Sequence, residues 1–175
     1  MKLEPLFFIK QNNLYKIQTQ EKVELSNFQT ISYQEFTQNP LSNEFVKIDI
    51  NWSSIELEDE VYNEELLAQL RDNLKKLDEN NHFAIINPIA DKQISSYDDA
   101  DLFINACNHM ARRIKDCESV IGLELPDQIF AQDAAADFMD TLSKKHANYV
   151  FFANNSNESK VKQLADSQEY AIMTY

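Results

Sequence analysis

Glycine is almost missing from this sequence, because Gly122 is the only one among 175 residues. Average usage of about 7% would supply roughly a dozen. Glycine-rich phosphate loops and dinucleotide-binding fingerprints need several glycines at fixed spacing, so both kinds of nucleotide site are excluded. Turns that need a positive φ angle must use other residues, and we expect Asn and Asp to take most of these positions.

Basic residues and long apolar runs are also scarce. The chain has 16 Lys and Arg against 29 Asp and Glu, a formal net charge of −13. Such a surface repels phosphate backbones, so we expect no nucleic acid as a partner. No apolar run approaches the roughly 20 residues of a membrane span. The opening MKLEPLFFIKQNN lacks the cleavage pattern of a signal peptide.

The chain has two cysteines, Cys107 and Cys117, in a stretch with helical periodicity. Their separation along a helix is roughly 15 Å, too long for a disulfide. We therefore predict two reduced thiols and a cytoplasmic location.

Hydrophobic periodicity predicts one α/β domain over residues 1–175. Residues 1–30 are typical of a β-hairpin with a Gln11-Asn12-Asn13 turn. From residue 45 to 175, apolar runs alternate with amphipathic helices, the first of which follows Asn63 as its N-cap. The apolar runs are 45–50, 83–86, 120–125, 149–152 and 170–175. This alternation indicates a parallel sheet whose faces are covered.

Several segments carry a resemblance to one family. In FVKIDINWSSIELEDEVYNEELLAQLRDNLKKLDENNHFAIINPIAD, strand, Trp, acidic loop, Tyr-Asn, helix and strand follow in a fixed order. SVIGLELPDQI and EYAIMTY supply two later strands, and the hairpin together with YKIQTQEKVELSNFQTIS forms the opening segment. Together these segments resemble the first two-thirds of the family 5 glycoside hydrolases, the cellulase family of (β/α)8 barrels. The resemblance implies a truncated TIM-barrel-like arrangement of five to six strands after the hairpin.

The departures from the family pattern concern its catalytic residues. Lys47 stands where the family has an arginine, and Ile89 where it has a histidine. Asp127-Gln128 replaces the Asn-Glu pair whose Glu is the acid/base, and the nucleophilic Glu belongs to a seventh strand, beyond Tyr175. Retaining glycosidases need two carboxyl groups about 5–5.5 Å apart, and an amide cannot exchange the required proton. The resemblance therefore implies a non-catalytic protein, unless a second chain supplies a carboxylate.

The ends of the parallel strands are the expected place for a ligand. The candidate ligand-binding residues are Asn51, Trp52, Asn87, Asp91, Tyr97, Asp127, Gln128, Asn154 and Tyr175. Aromatic faces and planar amides suit a carbohydrate, whereas the alternative is that Trp52 packs a loop and the Asn side chains cap turns.

Glu124 and Asp127 are weak candidates for a catalytic role. Glu124 shares a strand face with Gly122, so it is either a displaced acid or an interior residue paired with a cation such as Lys47. Asp49 poses the same alternatives. His82, His109 and His146 lack metal-ligand spacing, so we predict neither a metal nor a cofactor.

Three functions remain open at this stage. The protein is a saccharide-binding relative of a glycosidase, an assembly module that uses an open sheet edge, or a hydrolase completed by another chain. A closed barrel needs about 250 residues, so this chain leaves parallel edges that invite association. We expect an open sheet, an arc covered by another element, or two chains paired across the gap, with a homo-oligomer or partner protein at the edge.

Overall fold

The structure is a computed structural model that describes residues 3–38, 43–167 and 170–175. Residues 1–2 of the predicted hairpin region and Glu169 of the EYAIMTY segment lie outside these ranges. The strands are β1 (Phe7–Lys10), β2 (Asn13–Lys16), β3 (Lys22–Val23), β4 (Gln29–Ser32), β5 (Phe45–Asn51), β6 (Glu56–Glu58), β7 (Val61–Tyr62), β8 (Phe83–Ile89), β9 (Val120–Leu125), β10 (Val150–Ala153) and β11 (Ile172–Thr174). The helices are α1 (Tyr33–Gln38), α2 (Trp52–Ile55), α3 (Glu64–Asn80), α4 (Tyr97–Arg113), α5 (Asp127–Ala131), α6 (Ala135–Ser143) and α7 (Glu158–Asp166).

The main sheet has six parallel strands in the order β4-β5-β8-β9-β10-β11. Their spatial order equals their order along the chain. Because parallel crossovers are right-handed, this order places all the connecting helices on one face, as in a barrel. The predicted incomplete (β/α) arrangement is confirmed, and the described residues supply six of its strands.

The first strand of this sheet, β4, lies where the sequence has no clear periodicity. Only Ile31 of its four residues is buried, so the strand has little apolar signal. Backbone pairing with β5, in which Ile31 lies opposite Ile48, holds β4 in place.

The N-terminal hairpin is confirmed and extended by a third strand. β1 and β2 pair in antiparallel fashion, and β3 adds to β2. The turn uses Gln11 and Asn12 at φ 50° and 56°, since two-residue hairpin loops favour positive φ at both positions.

Positive φ angles in the described residues occur both in Asn and Asp and in Gln and Glu. Asn12, Asn81 and Asp133 follow the expectation, but Gln11, Gln20 and Glu60 adopt the same region. The expectation that Asn and Asp would take most of these positions is therefore wrong, because Gln and Glu take half of them.

Helix α3 begins and ends as its sequence predicts. The side chain of Asn63 accepts a hydrogen bond from the N–H of Leu66 at 3.1 Å, which caps the first turn. Asn81 ends the helix in the left-handed conformation. The buried side of the helix consists of Leu67, Leu70, Leu74 and Leu77.

The sheet has an outer face under the helices and an inner face under the hairpin. Phe7, Leu14 and Val23 of the hairpin sheet pack on apolar side chains of the inner face. The strand residues beneath them are Phe45, Ile85, Ile121, Val150, Phe152 and Met173. The same face also carries polar side chains, because Lys47 lies opposite Ile85 and Glu124 lies opposite Phe152.

Side chains bond the backbone at both edges of the sheet. At β11, the Asn12 amide accepts from the N–H of Thr174 at 2.9 Å and donates to its carbonyl at 3.2 Å. At β4, the Glu35 carboxylate accepts from the N–H of Ser32 at 2.9 Å. Such contacts occupy groups that would otherwise pair with another chain. The described chain forms an arc of parallel strands with its hairpin on the inner face. The pairing of two chains across the gap stays a prediction.

Replacing Asn12 with glycine is expected to weaken the β11 edge. Glycine tolerates the positive φ angle, so the substitution removes only the hydrogen bonds to Thr174. We expect a loss of about 1 kcal/mol in the free energy of unfolding, together with self-association in sedimentation velocity. Asn13→Gly is the control, since that side chain bonds only the nearby Gln11 carbonyl. Equal association of both variants would contradict a role of Asn12 at the edge.

Both cysteines are buried free thiols, in agreement with the prediction. Burial raises the pKa of Cys117 to about 12, so the thiol stays protonated. No helix in the described ranges combines the length and the apolar character that crossing a bilayer requires.

Candidate functional site

The inner face carries a row of polar side chains from the neighbouring strands β5, β8 and β9. Asp49 of β5 lies opposite Asn87 of β8. Ile86 of β8 lies opposite Leu123 of β9, so the residues that follow them, Asn87 and Glu124, are also neighbours across the two strands. Lys47 is two residues before Asp49 and therefore shares its face. Together with Tyr175, which follows β11, these residues form what we call the inner shelf: Lys47, Asp49, Asn87, Glu124 and Tyr175.

Lys47, Glu124 and Tyr175 form a closed triad. The Lys47 ammonium lies 3.2 Å from Glu124 Oε2 and donates to the Tyr175 hydroxyl at 2.8 Å. The Tyr175 hydroxyl in turn donates to Glu124 Oε2. The Lys47 and Glu124 side chains are only 18% and 14% exposed. The ion pair anticipated between Glu124 and Lys47 is thus present, and it holds the carboxylate in a fixed position.

The environment of Tyr175 keeps its phenol protonated. Burial raises the pKa of Tyr175 well above its usual value, and the hydrogen bond to Glu124 raises it further. The negative charges of Glu124 and Asp49 act in the same direction. Tyr175 is therefore a hydrogen-bond donor on the shelf and not a base at neutral pH.

The other half of the shelf is an amide–carboxylate pair. Asn87 is buried and donates from Nδ2 to Asp49 Oδ1 at 2.8 Å. Asp49 is half-buried. The shelf thus combines two carboxylates, an amide, an ammonium group and a phenol within one surface, a set that suits hydrogen bonding to a polar ligand.

The other predicted residues at the strand ends are exposed and lie next to the loops that follow the strands. The Asp91 carboxylate accepts a hydrogen bond from the N–H of Ser53 at 3.0 Å, and Ser53 lies two residues after Asn51. Asp127 accepts from Asn157 at 2.6 Å, and Asn154 accepts from the N–H of Ser156 at 2.9 Å. The structure therefore brings Asn51 near Asp91 and Asp127 near Asn154, in two loop pairs that flank the strand ends.

Two aromatic candidates are engaged away from the shelf. Trp52 is 3% exposed, donates to Glu56 at 2.5 Å and meets Phe103 edge-on. The faces of the Trp52 indole ring are therefore unavailable to a sugar. Trp52 instead packs a loop, which is the alternative considered above. Tyr97 is exposed, but its hydroxyl donates to Asp137 at 2.6 Å and links α4 to α6.

Gln128 is exposed on the first turn of α5, directly after β9. Within the described ranges, no three His, Cys, Asp or Glu side chains converge in a way that could hold a metal ion.

Solved structures with the same arrangement of strands and helices are known. Endo-glycoceramidase II from Rhodococcus sp., as its lactosyl-enzyme intermediate, aligns with a TM-score of 0.58 and 10% identity over 86% of this chain and 52% of that chain. GH5_18 from Streptomyces cattleya in complex with GlcNAc aligns with a TM-score of 0.53 and 8% identity over 74% of this chain and 45% of that chain. The fold is that of a partial family 5 glycoside hydrolase barrel.

A third structure supports the same assignment of the fold. Pseudomonas stutzeri endoglucanase Cel5A in complex with cellobiose aligns with a TM-score of 0.52 and 15% identity over 61% of this chain and 36% of that chain. The chain thus spans about half the length of these family 5 structures or less. At the level of sequence, neither a family model nor a curated protein matches.

The family 5 fold gives the strands their barrel positions. Strand β4 is the first barrel strand, β9 the fourth and β11 the sixth, because the sheet order follows the chain. Asp127 and Gln128 therefore follow the fourth strand. Glu124 lies within that strand and faces the inside of the arc, beside Lys47 of the second strand.

One group of residues was missed by the sequence analysis. Basic side chains from three separate segments line a groove on the helical side of the molecule. Two short basic runs in a chain with few cations could have indicated this groove. They are Arg112-Arg113 with Lys115, and Lys144-Lys145-His146.

Proposed function

We propose that this protein binds a saccharide, or a similar hydroxyl-rich ligand, along the inner shelf without cleaving it. The observation that carries the proposal is the set of polar side chains that β5, β8 and β9 place together on an inner face that is otherwise apolar. Paired carboxylates and amides are the groups that hydrogen-bond sugar hydroxyls.

The absence of cleavage is proposed from the state of the candidate acids. The position after the fourth strand that resembles the family's acid/base holds Gln128, whose amide cannot transfer a proton. Glu124 is bound by Lys47 and Tyr175, and Asp127 is bound by Ser156 and Asn157. Within the described residues, the shelf offers no carboxyl group without a partner.

The experiment that tests this proposal is an NMR titration with cellobiose, lactose and GlcNAc at millimolar concentration. Backbone amide signals of β5, β8 and β9 are expected to shift in a saturable way, with the largest changes around Asn87 and Glu124. Asn87→Ala is expected to weaken binding about tenfold, as the loss of one hydrogen-bonding group in a polar site does. Asn80→Ala is the matched control, since Asn80 bonds only its own helix at Lys76.

The outcome of the titration separates the alternatives. An absence of shifts with all three sugars would contradict saccharide binding. Equal weakening by Asn87→Ala and Asn80→Ala would place any binding away from the inner shelf.

A second candidate function is assembly through the sheet edges. It is favoured by the open arc, and β11 is an edge strand in the described part of the chain. The contacts of Asn12 with Thr174 and of Glu35 with Ser32 weigh against it, because they already use part of each edge. A homo-oligomer in light scattering at micromolar concentration would support this function, and a monomer would contradict it.

A further inference from the structure

The helical side of the molecule carries a groove whose charge is opposite to that of the whole protein. The groove lies between α3, α4 and the segment after α6 and has a volume of about 870 Å³. Five of the chain's 16 cations line it, against only two carboxylates, Asp72 and Asp116. We call it the basic groove; its cations are Arg71, Arg112, Arg113, Lys115 and Lys145.

Two of these cations are held by carboxylates and three are not. Arg71 makes a two-point contact with Asp116 at 3.1 and 2.6 Å, and Arg113 lies 2.9 Å from Glu64. The other cations, Arg112, Lys115 and Lys145, make no ion pair with any residue in the described part of the chain. In a protein with 29 acidic residues, three uncompensated cations around one groove indicate a site for an anion.

A buried histidine in the wall of the groove adds a polar side chain beside these cations. His146 lines the groove, is 2% exposed, and its Nε2 has no hydrogen-bond partner among the described residues. Buried polar atoms are rarely left without a partner. Burial, with the nearby Lys145 and Lys115, lowers the pKa of His146 to about 4, so the ring is neutral at pH 7. The unpartnered nitrogen belongs to a ring packed flat on Tyr149 and held in place.

The size and charge of the groove select the kind of anion. With Glu64, which pairs with Arg113, counted beside Asp72 and Asp116, the five cations leave a net charge of two, and the volume of about 870 Å³ leaves room for a ligand larger than one phosphate. Arginine binds phosphate oxygens in pairs, which suits Arg112 at the rim. A long nucleic acid would also have to pass over the acidic remainder of the surface. We propose that the basic groove binds a small compound with two or more phosphate groups.

The experiment uses inorganic pyrophosphate as the probe, with orthophosphate and NaCl at equal ionic strength beside it. Isothermal titration calorimetry is expected to give saturable binding of pyrophosphate, tighter than that of orthophosphate. Lys145→Gln and Arg112→Gln are each expected to weaken binding about tenfold. Lys144→Gln is the matched control, because Lys144 is the exposed neighbour of Lys145 and does not line the groove.

The three histidines provide a readout that needs no substitution. His109 and His146 line the basic groove, whereas His82 does not. Pyrophosphate is expected to shift the imidazole signals of His146 and His109 in NMR spectra and to leave those of His82 unchanged.

Several results would overturn this proposal. One is a heat signal that NaCl reproduces at equal ionic strength, and another is an equal loss of binding in Lys144→Gln and Lys145→Gln. A shift of the His82 signals as large as that of His146 would locate the anion elsewhere. Tighter binding of a short DNA duplex than of pyrophosphate would replace the small ligand with a macromolecule.

Discussion

Replacing Gly122 with alanine is expected to prevent the protein from folding. Gly122 lies opposite Val150, in the pairing of β9 with β10. A Cβ atom at this position would lie 1.6 Å from the Val150 carbonyl oxygen and 2.7 Å from its carbon. Because these are backbone atoms, no side-chain rotation relieves the clash, and the two strands would have to separate. The expected loss in the free energy of unfolding is at least about 4 kcal/mol.

The measurement is soluble yield and circular dichroism during thermal unfolding. Ile121→Val is the control, since it changes the neighbouring buried residue by one methyl group and is expected to cost about 1 kcal/mol. A Gly122→Ala protein that melts within a few degrees of the parent would mean that β9 and β10 do not approach each other as described.

Replacing Lys47 with methionine is expected to destabilise the protein by about 3 kcal/mol, the lower end for breaking a buried ion pair. Methionine preserves most of the side-chain length but removes the charge. Glu124, with a side chain only 14% exposed, would then lose its cation on the inner shelf. Urea unfolding at pH 7 measures the loss.

The double variant Lys47→Met/Glu124→Gln separates the ion pair from packing. It is expected to recover much of the loss, because the uncompensated charge is removed with its partner. Lys22→Met is the control at the exposed pair Lys22–Glu24, where solvent screening makes the expected cost much smaller. A Lys47→Met protein no less stable than Lys22→Met would contradict the closed triad.

The sequence predicts the order of elements well, because that order depends on local patterns. The apolar runs give β5, β8, β9 and β10, and Asn63 with its leucine repeat gives α3. The sequence pattern does not predict β4, because Ile31 is the only residue that gives this strand apolar character. Its place depends on pairing with β5, a contact that no local pattern encodes.

The candidate site is predicted less completely than the fold. Lys47 and Glu124 are recognisable as charged residues inside apolar strands, and strand alternation places both on one face. Tyr175 joins them only because the sheet curves enough to bring the sixth strand toward the second. Trp52 has the sequence position of a strand-end residue, but packing against Phe103 turns it into the core.

The most direct test of the account is hydrolysis of nitrophenyl β-cellobioside. Nitrophenol leaves without help from an acid, so a single working nucleophile would suffice to release it. Asp49 and Glu124 share the inner shelf and are the carboxylates to examine. We expect saturable binding of the glycoside with no release of nitrophenol above that of buffer. Release that disappears in Glu124→Gln, Asp49→Asn or Asp127→Asn would contradict it.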